Sequence, residues 1–270
     1  MMNWKDFKTG MYSKYTKYLK YYLVVKWTII VVILIGSGKM YGQNATEIIR
    51  KMDEQMQGKS SISEMTMKIV RPTWSREIGI KGWSLGTEYS LILITAPSRD
   101  KGSAFLKRDI EMWTWQPSID RVVKLPPSMM MQSWMGSDFT NDDLVKQSSI
   151  VTDFTHQIVA DTTLQGYDCY KIELIPKEEA AVVWGRIESY VAKEEYLQLL
   201  VKFYDEDDFL VNSMVMSDIR EMGGRKIPAV MEMIPADNPE QKTIIEYKSI
   251  AFDVPIEEGF FSMQNMKRAR

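Results

Sequence analysis

The side chains in this 270-residue chain that could do chemistry lack the neighbours such chemistry needs. His156 is the single histidine. It sits between Thr155 and Gln157 with no serine or cysteine in a nucleophile setting nearby, so neither general-base nor triad chemistry is supported. Cys169 is the one cysteine. It stands on an alternating stretch with Tyr170, Ile172 and Leu174 and reads as a small structural thiol, not an activated nucleophile. A lone cysteine also excludes an intramolecular disulfide, and with one histidine and no CxxC or HExxH spacing a zinc site is unsupported. The acidic runs Asp142-Asp143 and Asp205-Glu206-Asp207-Asp208 lack the EF-hand spacing with its central glycine and terminal glutamate, so they read as solvated loop charges. Gly223-Gly224 has no helix after it and reads as a hairpin turn, not a phosphate cradle. The expectation is a protein that is not an enzyme and uses no metal or cofactor.

What the chain concentrates instead is adaptable apolar surface. Residues Ile110 to Leu144 hold Met112, Trp113, Trp115, Met129, Met130, Met131, Trp134, Met135 and Phe139, together with Pro117, Pro126 and Pro127. Proline removes a ladder donor, so one continuous core strand is excluded. Two strands, Ile110–Trp115 and Ile119–Leu125, lead into an irregular segment from Met129 to Phe139. Methionine fits variable apolar shapes, and Met-rich surfaces recur where the partner is greasy and not fixed. The segment either caps an open end of a β-structure or contacts a ligand as a lid.

Composition is that of an ordinary globular protein, 45% hydrophobic and 26% charged, with 20 Met and 8 Trp standing out. Lys5, Lys8, Lys14, Lys17, Lys20 and Lys26 precede an apolar run, Trp27–Ile35, and then Gly36-Ser37-Gly38. A basic start, a short apolar run and small residues predict a secretory signal peptide and leader over residues 1–42, cleaved on export. The run is too short for a transmembrane helix, which needs about 20 apolar residues. Residues 1–42 hold seven Lys and one Asp, which leaves 27 basic and 35 acidic groups in the remainder, a net charge near −8. That disfavours nucleic acid and anionic membrane surfaces as partners.

The elements that would position the apolar segment follow from periodicity. Ala45–Gln57 has Ile48, Ile49, Met52 and Met56 on one face of a helix, with Asn44 as N-cap and Gly58 at its C-terminal stop. From Ser61 the period switches to two. Strands are predicted at Ser63–Arg71, Trp74–Trp83, Tyr89–Thr95 and Ser103–Lys107, then the two already named. A short helix from Asn141 to Lys146 follows, and then strands at Gln157–Thr163, Tyr167–Ile175, Ala181–Val191, Gln198–Tyr204, Phe209–Ile219, Lys226–Ile234 and Lys242–Phe252. Short turn-rich links between consecutive alternating strands mean an antiparallel meander without βαβ crossovers. The predicted fold is mainly β with α: a strongly curved antiparallel sheet, an incomplete β-barrel, covered by the N-terminal helix and a helical or loop lid. Residues 43–270 form its single domain.

The order of these elements, with Trp134-Met135-Gly136-Ser137-Asp138-Phe139-Thr140-Asn141-Asp142-Asp143-Leu144, then Gly166-Tyr167-Asp168-Cys169-Tyr170 and the closing Gly259-Phe260-Phe261-Ser262-Met263-Gln264-Asn265-Met266-Lys267, resembles the outer-membrane lipoprotein-sorting family, in its LolA-like branch. The resemblance runs from about Thr46 to the C-terminus. It implies a half-barrel in the periplasm of a Gram-negative cell that holds acyl chains in an apolar cavity and carries lipid-linked cargo. It also implies a polar arginine contact that holds the lid closed, and Arg71 and Arg121 stand at strand positions that could provide it. The branch is linked to exporters of the resistance-nodulation-division type, so the cargo is either a lipoprotein or another lipid.

The function expected is a carrier that binds acyl chains and passes them toward the outer membrane, with an inner-membrane transporter and an outer-membrane acceptor as partners. Enclosing a dozen methylenes at roughly 0.8 kcal/mol each is worth about 10 kcal/mol before binding costs. The residues expected to line the cavity are Met65, Met67, Ile78, Ile80, Leu91, Leu93, Met112 and Trp113 on the sheet. On the lid they are Met129, Met130, Met131, Trp134, Met135 and Phe139. The alternative is an envelope protein that carries nothing and docks its apolar mouth onto a transporter.

Overall fold

The computed structural model describes residues 38–146, 150–180 and 182–269. The basic and apolar leader expected at residues 1–42 lies outside them up to residue 37. The chain divides into two units, Met1–Asn44 and Ala45–Arg270, and the architecture below is that of the second. Among the described residues no helix is long and apolar enough to cross a membrane.

Thirteen antiparallel strands make one curved sheet. The first six are β1 (Ser60–Arg71), β2 (Trp74–Leu85), β3 (Tyr89–Ala96), β4 (Ala104–Arg108), β5 (Glu111–Gln116) and β6 (Arg121–Lys124). After an irregular segment come β7 (Phe154–Leu164), β8 (Tyr167–Pro176), β9 (Arg186–Ala192), β10 (Gln198–Tyr204), β11 (Leu210–Met222), β12 (Arg225–Pro235) and β13 (Lys242–Phe252). Each pairs with its neighbours in sequence, except that β1 joins the last strand, β13, while β6 and β7 are the two free edges. The sheet is thus two meanders fused along β1 and β13, and it does not close.

Most expected strands form within a residue or two of their expected ends. The β11–β12 hairpin turns on Gly223 and Gly224 with φ of 58° and 77°. That left-handed pair suits the right-handed twist of the flanking strands and is open to glycine at little cost. Two strands are shorter than expected. Pro117–Ile119 makes a 3-10 turn, which delays β6 to Arg121. The run expected from Ala181 joins the ladder only at Arg186; Ala181 itself is outside the described residues.

Among the described residues three α-helices accompany the sheet: α1 (Gly38–Gln57), α2 (Asn141–Lys146) and α3 (Met263–Arg268). Helix α1 already runs at Gly38, so Asn44 lies inside it and does not cap it; no proline between Gly38 and Asn44 interrupts the turn. It buries Ala45, Ile48, Ile49 and Met52 against the sheet, the 3.6-residue spacing that one apolar stripe requires. Its other face pairs Arg50 with Glu47 at 2.6 Å and with Glu54 one turn on. Gly58, at φ 64°, ends the helix and donates its N–H to the Glu54 carbonyl at 3.2 Å.

The helix is moored to the sheet at both ends of this stretch. Near its start the Thr46 hydroxyl meets His156 Nδ1 at 3.0 Å, and at its end Arg225 donates to the carbonyls of Glu54 at 2.8 Å and Gln55 at 3.3 Å. The face under α1 is the inner face. The opposite face is covered in part by α3 and the turn before it, where Phe261 is fully buried.

Candidate functional site

Alternation decides which side chains look inward. On β1 to β5 the inner positions are Met67, Ile69, Ile78, Ile80, Ile94, Phe105 and Met112, which pack with Trp134 into one cluster. On β8 to β11 they are Ile172, Leu174, Ile187, Val201 and Met216, packed against α1. Between the two clusters the inner face is left unfilled, as a cavity of about 350 Å³, at the lower end of the roughly 300–1,000 Å³ typical of small-molecule sites.

Its wall is apolar and rich in methionine: Met52 and Met56 from α1, Met65 from β1, Met214 and Met216 from β11, and Met231 and Met233 from β12. Facing strands supply these side chains in register, since Met216 lies opposite Met231 and Met214 opposite Met233. Trp184 and Phe203, ring centroids 5.0 Å apart, form part of the remaining wall.

The charged part of the described lining is acidic. Asp53, Asp142 and Asp143 reach the cavity, and the described lining holds no Lys, Arg or His. Burial beneath α1, on which it stands, pushes the Asp53 carboxyl up to about 6, opposed by the Gln57 amide, which donates to it at 2.7 Å. Burial likewise raises Asp143, against the hydrogen bonds it accepts from Thr140. Those bonds form a reciprocal cap at the start of α2: Thr140 N–H and Oγ1 donate to Asp143 Oδ2 at 2.7 and 2.9 Å, and Asp143 N–H donates to Thr140 Oγ1 at 3.1 Å.

The segment from Met129 to Leu144 closes one side of the cavity, and its conformation is fixed by its own polar groups. The Trp134 N–H donates to the Phe139 carbonyl at 2.7 Å, around a reversal at Met135 (φ 53°) and Gly136 (φ 81°). The Asn141 amide donates to the carbonyls of Met129 at 3.0 Å and Gln132 at 3.3 Å. Arg71, at the end of β1, forks onto both carboxylate oxygens of Asp138 at 3.0 and 3.1 Å and onto the Gly136 carbonyl at 3.1 Å. Thr243 of β13 also donates to Asp138, at 2.7 Å. A bidentate, largely buried pair of this kind fixes geometry as well as adding energy. Of the two arginines singled out in the sequence, Arg71 reaches the segment and Arg121 lies exposed on the edge strand β6.

The structure brings together only part of the expected lining. Met65, Ile80, Trp134 and Phe139 border the cavity. Met67, Ile78 and Met112 face the same way but are packed solid beside it, with Met130 and Met135 against that cluster. Leu91, Leu93 and Trp113 do not line it: they point to the outer face and pack around Phe261. The Tyr89–Thr95 run is apolar on both faces, so alternation could not assign it. The inner residues there are Ile92 and Ile94. Met129 and Met131 face solvent, 38% and 53% exposed, because the 3-10 turn at Pro127–Met129 turns them away from the sheet. Met52, Met56 and the β11 and β12 methionines line the cavity in addition to the expected residues, and the spacings Met214/Met216 and Met231/Met233 mark one strand face each.

The other candidates for chemistry are engaged structurally. His156 Nε2 meets the Ile150 carbonyl at 2.9 Å and therefore carries the proton, leaving Nδ1 to accept from Thr46; burial holds its pKa below the ordinary range. Cys169 is buried with Ala192, Leu197 and Leu199, and burial raises its thiol pKa. Asp205 Oδ1 accepts from the N–H groups of Asp207 and Phe209, a turn device. Among the described residues no cluster of His, Cys, Asp and Glu could hold a metal ion.

A family model described as "-like: Uncharacterized protein" matches residues 86–268, well over half of the chain. Among solved structures, a DUF1329 family protein from Desulfovibrio piger superposes with a TM-score of 0.75 at 23% identity, covering 84% of this chain and 99% of that one. A domain from Vibrio parahaemolyticus, named for outer membrane lipoprotein sorting, gives 0.74 at 21% identity over 84% and 100%. A LolA superfamily protein from Nitrosomonas europaea gives 0.68 at 18% over 82% and 98%. At these identities the likeness establishes the fold, a curved, unclosed antiparallel sheet. No curated protein matches the chain significantly.

Proposed function

We propose that this chain, whose fold matches that of proteins named for outer membrane lipoprotein sorting and the LolA superfamily, is a periplasmic carrier that takes up the acyl chain of a lipoprotein or another lipid and passes it toward the outer membrane. The observation that carries this reading is the methionine-lined cavity of about 350 Å³ on the inner face, covered by α1 and the Arg71-anchored segment. A wall that is mostly apolar is well suited to methylenes, each worth roughly 0.8 kcal/mol on burial. Methionine side chains adjust to chains of different length and unsaturation, so cargo of variable shape can enter and leave without a fixed lock.

Filling the cavity tests the reading. Met231→Trp places a bulky ring into the void from a half-buried position. It is expected to abolish binding of a fluorescent acyl probe while lowering stability by less than about 1.5 kcal/mol. Undiminished probe binding in a folded Met231→Trp protein would mean that the chain binds elsewhere or not at all.

A docking role is favoured by a different observation, the exposure of Met129 and Met131 beside the free edge strand β6. Such a protein would purify without lipid, and its Met131→Ser variant would lose the transporter partner. The carrier reading predicts neither result.

A further inference from the structure

The cavity contains a polar signal that an acyl chain alone does not answer. Trp134 is 97% buried, borders the cavity, and its indole Nε1–H has no hydrogen-bond partner. Phe105 holds the ring edge-on at a centroid distance of 5.4 Å, and its backbone is tied to Phe139. An indole N–H only donates, so the missing partner is an acceptor. On β13, Tyr247 also borders the cavity, next to Met65, and its hydroxyl makes no hydrogen bond among the described residues. Among the described residues the lining carries three carboxyl groups and no basic side chain, so an ionised acceptor such as a fatty-acid carboxylate would meet like charge.

We infer that the cavity selects acyl chains that are esterified or amide-linked, with the neutral carbonyl oxygen of the linkage accepting from Trp134 Nε1. This deepens the carrier reading and rests on it. The Tyr247 hydroxyl offers a second polar contact, and the methylenes fill the methionine-lined remainder. A free fatty acid has the same chain, but its carboxylate faces Asp53, Asp142 and Asp143. An alkyl ether has the chain without the carbonyl.

Three probes of equal chain length separate these features: 1-lauroylglycerol, 1-O-dodecylglycerol and lauric acid, titrated into the purified protein at pH 8. The ester is expected to bind about three- to tenfold more tightly than the ether, the range one neutral hydrogen bond supplies, and lauric acid is expected to bind weakest. Replacing Trp134 by 3-benzothienylalanine keeps the ring shape and removes the N–H; it should erase the ester–ether gap without weakening the ether. A gap that survives this replacement, no gap in the wild-type protein, or lauric acid binding as tightly as the ester would overturn the assignment. If none of the three probes binds the wild-type protein, the carrier reading itself fails. Should the analogue fail to fold, the indole N–H resonance of Trp134 in the wild-type protein decides the matter: it must shift on adding the ester and stay in place with the ether.

Discussion

Strands β3 and β4 are packed on both faces, and the two faces are built differently. Outward, Leu91, Leu93, Ala104 and Leu106 meet a closed set of rings: Trp83 lies 5.6 Å from Phe260, Phe260 is 5.4 Å from Phe261, and Phe261 is 5.7 Å from Tyr89. Inward, Ile94 and Phe105 belong to a cluster that stops short of the opposite wall and borders a void flanked by methionines. Rigid rings in defined contact fill space and give stability, whereas unbranched thioethers around a void give adaptability. The same sheet thus keeps its structural packing on one side and a changeable volume on the other.

Substitutions should separate the two faces. The largest effect belongs outside: Phe261→Ala deletes a fully buried ring and is expected to cost about 3–5 kcal/mol in urea unfolding while leaving acyl binding per folded molecule unchanged. Equal losses of stability and affinity would show that the two faces are not independent. Next is the anchor of the segment. Arg71→Ala strands the Asp138 carboxylate, 8% exposed, and is expected to cost about 2–4 kcal/mol and to speed release of bound probe in stopped-flow measurements.

Asp53 tests the inner face by pH. Its carboxyl titrates near 6 in the folded protein against 3.8 in the unfolded chain, so the folded state retains the proton longer. Stability therefore rises as pH falls from above 6 toward 4, and the penalty is fully present above 6. Asp53→Asn should flatten this slope and add about 1–2 kcal/mol at pH 7, as read from unfolding midpoints at pH 5 and pH 7. The smallest effect is expected at Met131, 53% exposed. Met131→Ser should change neither stability nor probe affinity by more than about 0.5 kcal/mol, whereas a loss of affinity would place that side chain in the cavity after all.

The difference between the faces also explains what could be read in advance. Alternation in Met65-Thr66-Met67-Lys68-Ile69 marks both a strand and its inner face, because polar residues stand between the apolar ones. The helix at Ala45–Gln57, the meander and the short helix at Asn141 were legible in the same way. In Ser90-Leu91-Ile92-Leu93-Ile94 every position is apolar after the first, and the outer face is hidden by Phe261, some 170 residues away in sequence. Periodicity holds no trace of such a cover. The methionine-rich segment drew attention by density, but its turns expose Met129 and Met131, and the cavity methionines are scattered over α1, β1, β11 and β12. Arg71 was recognisable as a candidate anchor. Its partner Asp138 is fixed only by the folded path of the segment.

The central claim is that the inner cavity holds an acylated molecule. Native mass spectrometry of the protein purified from the periplasm without detergent, followed by lipid extraction, tests it directly. The carrier account predicts a discrete added mass that resolves on extraction into an acylated compound and is missing from the Met231→Trp protein. A wild-type protein that is bare, and remains bare after incubation with lipid vesicles, would contradict it.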